Sequence, residues 1–491
     1  MTQLTTPTGE PDPSDPTPNE RPPQPATAHA DDTARHARAT LAIASLAVLA
    51  TFLDTTVLFV AFGDIARSFD TVSPAQLSWV LNAYTVVVAA LLVPAGKVAD
   101  RVGHKRVFLA GSILFTVASV ACAAAPTAAV LVAFRVVQAA GAAALIPSSF
   151  ALVLRAFPKE RLPVAIAIWG ASGAIAGALG PTLGAALIEL SGWRLVFLIN
   201  IPVGLVTVGL GTRVLRESLD PTARIPAPFG VAAIAAAGAL VSLGVVQSDT
   251  WGWTDTGTLA AIGAGLVTLA AFIAHQRRTA APVLDLDMFA SGNFRWANAA
   301  TLAFGLAFAA MFFGSILFLT DVWGWSTLKA GLGVSPGPLL VAVLAPRFGR
   351  LAARVGQRPL LLAGGVVFAL GGLWRVLMLD AGTDYLVDYL PSILFTGTGV
   401  ALCFPQLSSA VGQSLAPNRA GVGGAASQAV RQFGGTLGVA LTIALLGQPA
   451  TLADALGRFD RVWWLLVAGG LLTALLSLPL RTRPAPVEVP A

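Results

Sequence analysis

Two ionisable side chains stand inside otherwise apolar stretches. Asp54 lies in Phe52-Leu53-Asp54-Thr55-Thr56-Val57, and Arg135 opens Arg135-Val136-Val137-Gln138-Ala139-Ala140-Gly141. A charged group at membrane depth is costly, so each is a functional candidate. If residues 39–62 and 128–154 are spanning helices of opposite direction, both groups sit about 10–12 Å below the same membrane edge. Equal depth permits a pair. A buried carboxylate beside a fixed cation can take and give a proton as its surroundings change; the alternative is a static structural ion pair. A third such group, Arg431 in Gln428-Ala429-Val430-Arg431-Gln432-Phe433, lies about 15 Å from the opposite edge, and no deep carboxylate follows in its half of the chain. It can meet Asp54 across a cavity, attract an anionic substrate group, or hydrogen-bond carbonyls. Gln138, Gln428 and Gln432 are candidates to line that cavity, or to bond between helices.

These residues need spanning helices to hold them, and the composition supplies them. The chain is 55% hydrophobic and 11% charged, with a mean hydropathy of +0.75, where a soluble domain carries about a quarter charged residues. About 20 apolar residues cross a bilayer, and fourteen stretches qualify: 39–62, 76–95, 107–125, 128–154, 163–188, 195–214, 229–247, 257–275, 296–319, 328–346, 359–379, 386–410, 421–447 and 462–480. Residues 1–38, rich in Pro, Thr, Asp and Ala, are expected to form a disordered cytoplasmic tail, without the pattern of a signal peptide. Residues 481–491 form a second tail.

The net charge of +6 reflects topology rather than a nucleic-acid footprint. With the N-terminus inside, tails and inner loops hold 23 of the 31 Lys and Arg residues, outer loops and helix ends hold six (Arg375 among them), and Arg135 and Arg431 remain in the membrane. Nine tryptophans then fall near the outer face, as an interfacial belt. Only four of the 31 are Lys, a bias that fits a GC-rich bacterial genome, so the expected location is a bacterial plasma membrane with both termini cytoplasmic. Cys122 and Cys403 fall inside apolar runs and read as packing residues. No metal-ligand cluster and no phosphate-cradling Gly-x4-Gly-Lys-Ser/Thr pattern occurs. No metal or nucleotide cofactor is therefore expected.

A repeat organises the whole. Gly96-Lys97-Val98-Ala99-Asp100-Arg101-Val102-Gly103-His104-Lys105-Arg106 returns as Gly349-Arg350-Leu351-Ala352-Ala353-Arg354-Val355-Gly356-Gln357-Arg358. Each copy is flanked by apolar helices. The chain therefore reads as two related halves, 39–214 and 296–480, separated by two inserted helices over 229–275, a layout common among transporters. Asp100 becomes Ala353 in the second copy. A carboxylate there can cap a helix from the other half, so Gly96, Asp100, Arg101, Gly103, Lys105 and Arg106 are expected to latch one conformation, with Asp100 against Arg419 to Gly421. In helix 5, Gly177, Gly180, Pro181 and Gly184 lie in a run of small residues with a bend. That run is either a generic tight-packing face or a flexible moving interface.

Together these stretches resemble the major facilitator superfamily, in its fourteen-helix drug:proton antiporter branch. The resemblance spans nearly all of 39–480. Gly96–Arg106 resembles the loop 2–3 signature. Leu131–Gly141 resembles the helix 4 motif, whose Arg is linked with proton coupling, and Gly180-Pro181-Thr182-Leu183-Gly184 the helix 5 motif of exporters. Leu53–Val57, Gly192–Gly204 and Arg431–Gly438 resemble further blocks of that branch. The chain departs from the family at Phe59, where Asn is usual, and at Ala61-Phe62-Gly63 in place of Ala-Leu-Pro. The resemblance implies an all-α integral membrane protein of major facilitator fold, two six-helix bundles plus two inserted helices. It implies a monomeric antiporter, not an enzyme, that exports a lipophilic neutral or monocationic compound against protons, with the proton gradient as energy source. Three other readings stand beside it: a dedicated exporter of one antibiotic or metabolite, an uptake symporter, and a lipid-handling membrane protein or enzyme.

Overall fold

Backbone groups in a bilayer find partners only within their own helix, and long apolar runs here become helices throughout. The computed structural model describes residues 26–481 except 159–160, 221–222, 383 and 416–418. In chain order the first half comprises α1 (Ala26–Ser68), α2 (Trp79–Val102), α3 (His104–Ala123), α4 (Ala128–Ala156), α5 (Leu162–Ser191) and α6 (Asn200–Val214). The inserted pair is α7 (Pro228–Trp251) and α8 (Thr256–Gln276). The second half comprises α9 (Gly292–Leu317), α10 (Pro336–Val355, led by a turn over Thr327–Val334), α11 (Gln357–Met378), α12 (Leu390–Gln413), α13 (Ala420–Leu446) and α14 (Leu452–Ser477). Thirteen of these are long and apolar enough to span a membrane, and α5, bent by 44° between Gly177 and Leu179, makes a fourteenth.

The structure moves several expected boundaries. The segment 26–38, expected to be disordered, is helical from Ala26; its alanines favour helix. Residues 1–25 and 482–491, the rest of the expected tails, lie outside the described residues. The last helix starts ten residues before the expected 462, at Leu452. Charged residues there depress hydropathy, but Thr451 caps the helix by accepting from the Asp454 amide, and the Arg458 Nε to Asp454 Oδ1 contact of 2.9 Å supports its first turns.

Adding eight to each label of the first half reproduces the packing of the second. The helix pairs α1–α5, α3–α4, α2–α4, α1–α4, α3–α6 and α1–α6 recur as α9–α13, α11–α12, α10–α12, α9–α12, α11–α14 and α9–α14. The inserted α7 rests on α8 and on both α2 and α13, where the two halves adjoin. The repeated turns are the matching helix breaks. Gly103 (φ 121°) and Gly356 (φ 83°) both take backbone conformations that L side chains rarely adopt. The face with these turns is the basic face; the opposite one, with most of the tryptophans, is the aromatic face.

Side chains join the halves mainly in the part toward the aromatic face. Phe59 and Phe62 of α1 meet Phe312 and Phe313 of α9, with ring centroids 5.1–5.8 Å apart. Thr182 of α5 bonds Ser335 at 2.7 Å, Thr85 bonds Thr436 at 2.6 Å, and Thr327 Oγ1 donates to Asp64 Oδ2 at 3.4 Å. The phenylalanines at 59 and 62, which depart from the family pattern, thus fill this seam with rings.

Candidate functional site

Asp54 projects from α1 into the interior of the first half, where it is 1% exposed. A carboxylate so placed needs donors on both oxygens, and two helices provide them. Arg135 Nη1 of α4 lies 2.5 Å from Oδ2. Gln138 Nε2 of α4 and Asn200 Nδ2 of α6 donate to Oδ1 at 2.8 and 3.1 Å. Arg135 and Gln138 stand three residues apart, so one face of α4 presents both. Arg135 Nε donates to the Val80 carbonyl at 3.0 Å, Nη1 to Gln138 Oε1 at 2.7 Å, and the guanidinium stacks 3.9 Å from the Tyr84 ring centroid. Ser119 Oγ of α3 accepts from Gln138 and Asn200 at 2.8 and 3.2 Å. The acceptor-only character of Asp54 in this ring of N–H donors matches a carboxylate. Protonation of a carboxylate in such a ring would set an O–H against an N–H donor.

Two expectations change. Gln138, a candidate for the substrate cavity, is fully buried and bonded to Asp54, because the helical spacing that places Arg135 places it too. Sequence reasoning did not assign Asn200, Ser119 or Tyr84 to this centre. The available signal was an Asn inside the apolar α6, which reads equally as a helix–helix bond.

Arg431 stands at the seam. Its guanidinium carbon lies 5.5 Å from the Phe52 ring of α1 and 5.3 Å from the Phe404 ring of α12. Nε is buried without a partner, as is Gln428 Nε2 one turn away. Among the described residues no carboxylate lies within ion-pair distance of Arg431. Asp54 is instead held by Arg135 on the other side of α1, so Arg431 does not pair with it. Gln432 is half-buried, and its carbonyl accepts from Thr436 Oγ1 at 3.0 Å.

The small residues of α5 serve two contacts. A Cβ on Gly180 or Gly184 would lie 2.1 Å from Thr56 Oγ1 or 2.6 Å from Val57 Cγ1, so both glycines let α1 approach within the first half. Gly177 faces open space, and the Pro181 carbonyl is met by Gly331 of the second half.

The basic turn is built differently from the expectation. Asp100 does not reach Arg419. Its Oδ1 lies 3.1 Å from His104 Nε2, while His104 Nδ1 faces the Ser218 carbonyl at 2.7 Å. Arg419 pairs with Asp285 at 3.5 Å. The carboxylate that caps the N-terminus of α3 is Glu217, which accepts from the amides of Lys105 and Arg106 at 3.1 and 3.2 Å. The chain after α6 folds back onto the turn, with the Asp220 amide bonded to the Asp100 carbonyl at 2.6 Å. Gly103 has no room for a side chain against Glu217, Lys105 Nζ donates to the Thr212 carbonyl at 2.8 Å, and Arg101 and Arg106 are exposed. Gly96 lies over Pro147 of α4, and Lys97 bonds the Pro282 carbonyl ahead of α9. Arg375, expected near the outer helix ends, is 1% exposed between Tyr389 and Trp463 and donates to Ser392 and Ser315.

Known proteins share this plan. The chain is 34% identical over 423 residues to the multidrug resistance protein Stp of Mycobacterium tuberculosis, covering 85% of this chain and 78% of that protein. It is 32% identical over 465 residues to the cephamycin export protein CmcT of Amycolatopsis lactamdurans, covering 92% and 95%. Among solved structures, an auto-inhibited POT family peptide transporter superposes with a TM-score of 0.66 over 93% of this chain and 99% of its own, at 15% identity, a likeness of fold alone. The profile of the Major Facilitator Superfamily matches residues 44–439. With that match, and with two halves packed alike around an eight-helix offset, the chain belongs to the Major Facilitator Superfamily.

Proposed function

We propose that this protein exports lipophilic drugs or toxic small molecules across the plasma membrane by alternating access, in exchange for protons. The observation that carries the coupling is the buried Asp54 carboxylate, held by Arg135, Gln138 and Asn200 from two further helices. The names of its relatives, multidrug resistance and cephamycin export, support drug export. The excess of Lys and Arg on the basic face supports a cytoplasmic location for that face and for both termini. In that orientation, contacts between the halves gather on the outer side, so the observed shape corresponds to the state that loads from inside.

In the proposed cycle a proton from outside reaches Asp54 and displaces its donors, and α1 shifts against α4 and α6. Release of that proton inward restores the network and accompanies capture of substrate at the seam. The protein acts as a monomer, with the proton gradient as its energy source. Export of a single antibiotic is the second reading, favoured by the nearly end-to-end match to CmcT.

The test is efflux of a dye and drug panel from vesicles containing wild type or Asp54→Asn, with and without an imposed pH gradient. Gradient-dependent efflux by wild type and its loss in the variant are expected. Equal efflux by both would remove Asp54 from the coupling. One transported compound on a broad panel would favour the second reading.

A further inference from the structure

We infer that the seam between the halves holds a site for an aromatic anion, with Arg431 as its anchor. The inference rests on the exporter reading and names the substrate class of the same cavity.

The argument starts from what is unpaired. Arg431 Nε and Gln428 Nε2 are buried donors without acceptors, three residues apart on α13. A half-buried guanidinium with one N–H out of water and no protein acceptor in reach is matched by a ligand acceptor of opposite charge. Asp54, the one carboxylate deep in a span, does not serve: Arg135, Gln138 and Asn200 already occupy it. Two donors and a positive charge call for a ligand that brings negative charge and acceptor oxygens. A cation would meet Arg431 and no free carboxylate. The inference departs here from the neutral or monocationic substrate that the resemblance implies.

The surroundings specify the rest of the ligand. The guanidinium lies between Phe52 of the first half and Phe404 of the second. Phe404 contacts Phe304 and Phe308 at 4.9 and 5.0 Å, Phe308 contacts Phe312 at 6.0 Å, and Phe312 contacts Phe59 at 5.7 Å. A row of rings thus leads from the cation along the seam toward the aromatic face. Rings offset against rings favour a flat apolar body, and a carboxylate or phenolate on it can bond the guanidinium with charge assistance. Gly305 of α9 makes room for this arrangement: a Cβ there would lie 3.0 Å from the Arg431 carbonyl and 3.6 Å from its Cγ. Because Phe52 and Phe404 belong to opposite halves, a ligand at Arg431 touches both and responds to their relative motion.

The probes are three anthracenes of one shape: 9-anthracenecarboxylate, 9-anthracenemethanol and 9-(aminomethyl)anthracene. Fluorescence binding to the full-length protein in detergent at pH 7.5 is measured for wild type, Arg431→Gln, Arg431→Lys and Gln428→Leu. Wild type is expected to bind the carboxylate at least tenfold more tightly than the amine. A lost charge-assisted bond costs about ten- to a hundredfold, so Arg431→Gln should abolish the preference, while Arg431→Lys keeps part of it. Gln428→Leu should weaken the carboxylate several-fold and leave the amine unchanged. Absence of carboxylate binding by wild type, equal or tighter binding of the amine, or an undiminished preference in Arg431→Gln would each overturn the inference. If Arg431→Gln does not fold, the wild-type order and Arg431→Lys decide. Binding needs no proton gradient. Absence of the preference in wild type with gradient-driven efflux of other compounds intact overturns the aromatic-anion site alone; a wild-type preference without gradient-driven efflux overturns the exporter reading instead.

Discussion

Gly331→Ala should open the aromatic-face side of the seam. Gly331 leads into α10, and a Cβ placed there would lie 2.5 Å from the Pro181 carbonyl oxygen, 3.0 Å from its carbon and 3.1 Å from Ala185 Cβ. Two of these atoms are backbone in the middle of α5, so no rotamer change relieves the clash. Overpacking of this kind costs about 1–3 kcal/mol. The cost falls only on the state in which the halves touch here, so the equilibrium shifts away from it by about 5- to 150-fold. The assay is labelling of Thr182→Cys with a membrane-impermeant maleimide applied from the aromatic face. Thr182 bonds Ser335 in the closed seam, and the native Cys122 and Cys403 are buried, which keeps background low. Labelling should rise about fivefold or more when Gly331→Ala is added. Unchanged or slower labelling of a folded double variant would show that the halves absorb a methyl group without parting. The rigid-contact argument would then fail.

Other consequences can be checked together. Asn200→Leu removes one donor from Asp54 and one from Ser119, bonds worth about 1.5–3 kcal/mol when one partner is charged. Gradient-driven efflux should fall by tenfold or more with surface expression retained, and unchanged efflux would place Asn200 outside the coupling. Arg135→Met should lower thermal stability strongly, because an unpaired buried carboxylate costs about 3–5 kcal/mol. Arg375→Met leaves the Ser392 and Ser315 hydroxyls bonded to the Tyr389 and Met311 carbonyls and should melt close to wild type; equal losses in these two variants would refute the distinction. Phe59→Asn removes ring contacts with Phe312 and Phe313, each worth about 0.5–1.5 kcal/mol, and should also speed outer labelling of Thr182→Cys. Glu217→Ala uncaps two amides of α3 at a cost of about 0.5–2 kcal/mol. A lower melting temperature is expected, and no change would remove Glu217 as the cap.

The sequence reads well where physics is local and periodic. Helix count followed from apolar length, and the two-half layout from a ten-residue repeat whose glycines both break helices at positive φ. The meeting of Asp54 with Arg135 followed from equal depth on opposed helices. What stayed hidden depends on contacts between distant segments. Asn200 and Ser119 enter the Asp54 network only because α3 and α6 pack beside it, and an Asn or Ser in an apolar span carries no mark of its partner. The neighbours Asp100 has in this state were not legible because residues 215–220, which have no periodicity, fold back and bring Glu217 and Ser218 to the turn. Arg375 read as a helix-end charge; its burial is set by Tyr389 and Trp463, from a π-helical turn and from α14.

The helices repeat, but the charges do not. Adding eight to α1 gives α9, yet the position of Asp54 has no carboxylate counterpart deep in the second half. Adding eight to α5 gives α13, which carries Arg431 where α5 carries small residues and a bend. The two charges thus stand on helices that the repeat does not equate, an acid satisfied inside the first half and a base left open between the halves. A carrier built of two identical halves would present the same chemistry to both partners and could not tell proton from cargo. Here the repeat provides the rocking scaffold, and the broken symmetry separates the tasks. In the proposed cycle the proton's residue, Asp54, bonds to α4 and α6 within its own half, and the proposed anchor, Arg431, lies against Phe52 of the same helix α1. α1 is then the element both residues adjoin, and the proposed cycle requires displacement of Asp54 from its donors to be felt at Arg431 through Phe52, two residues away.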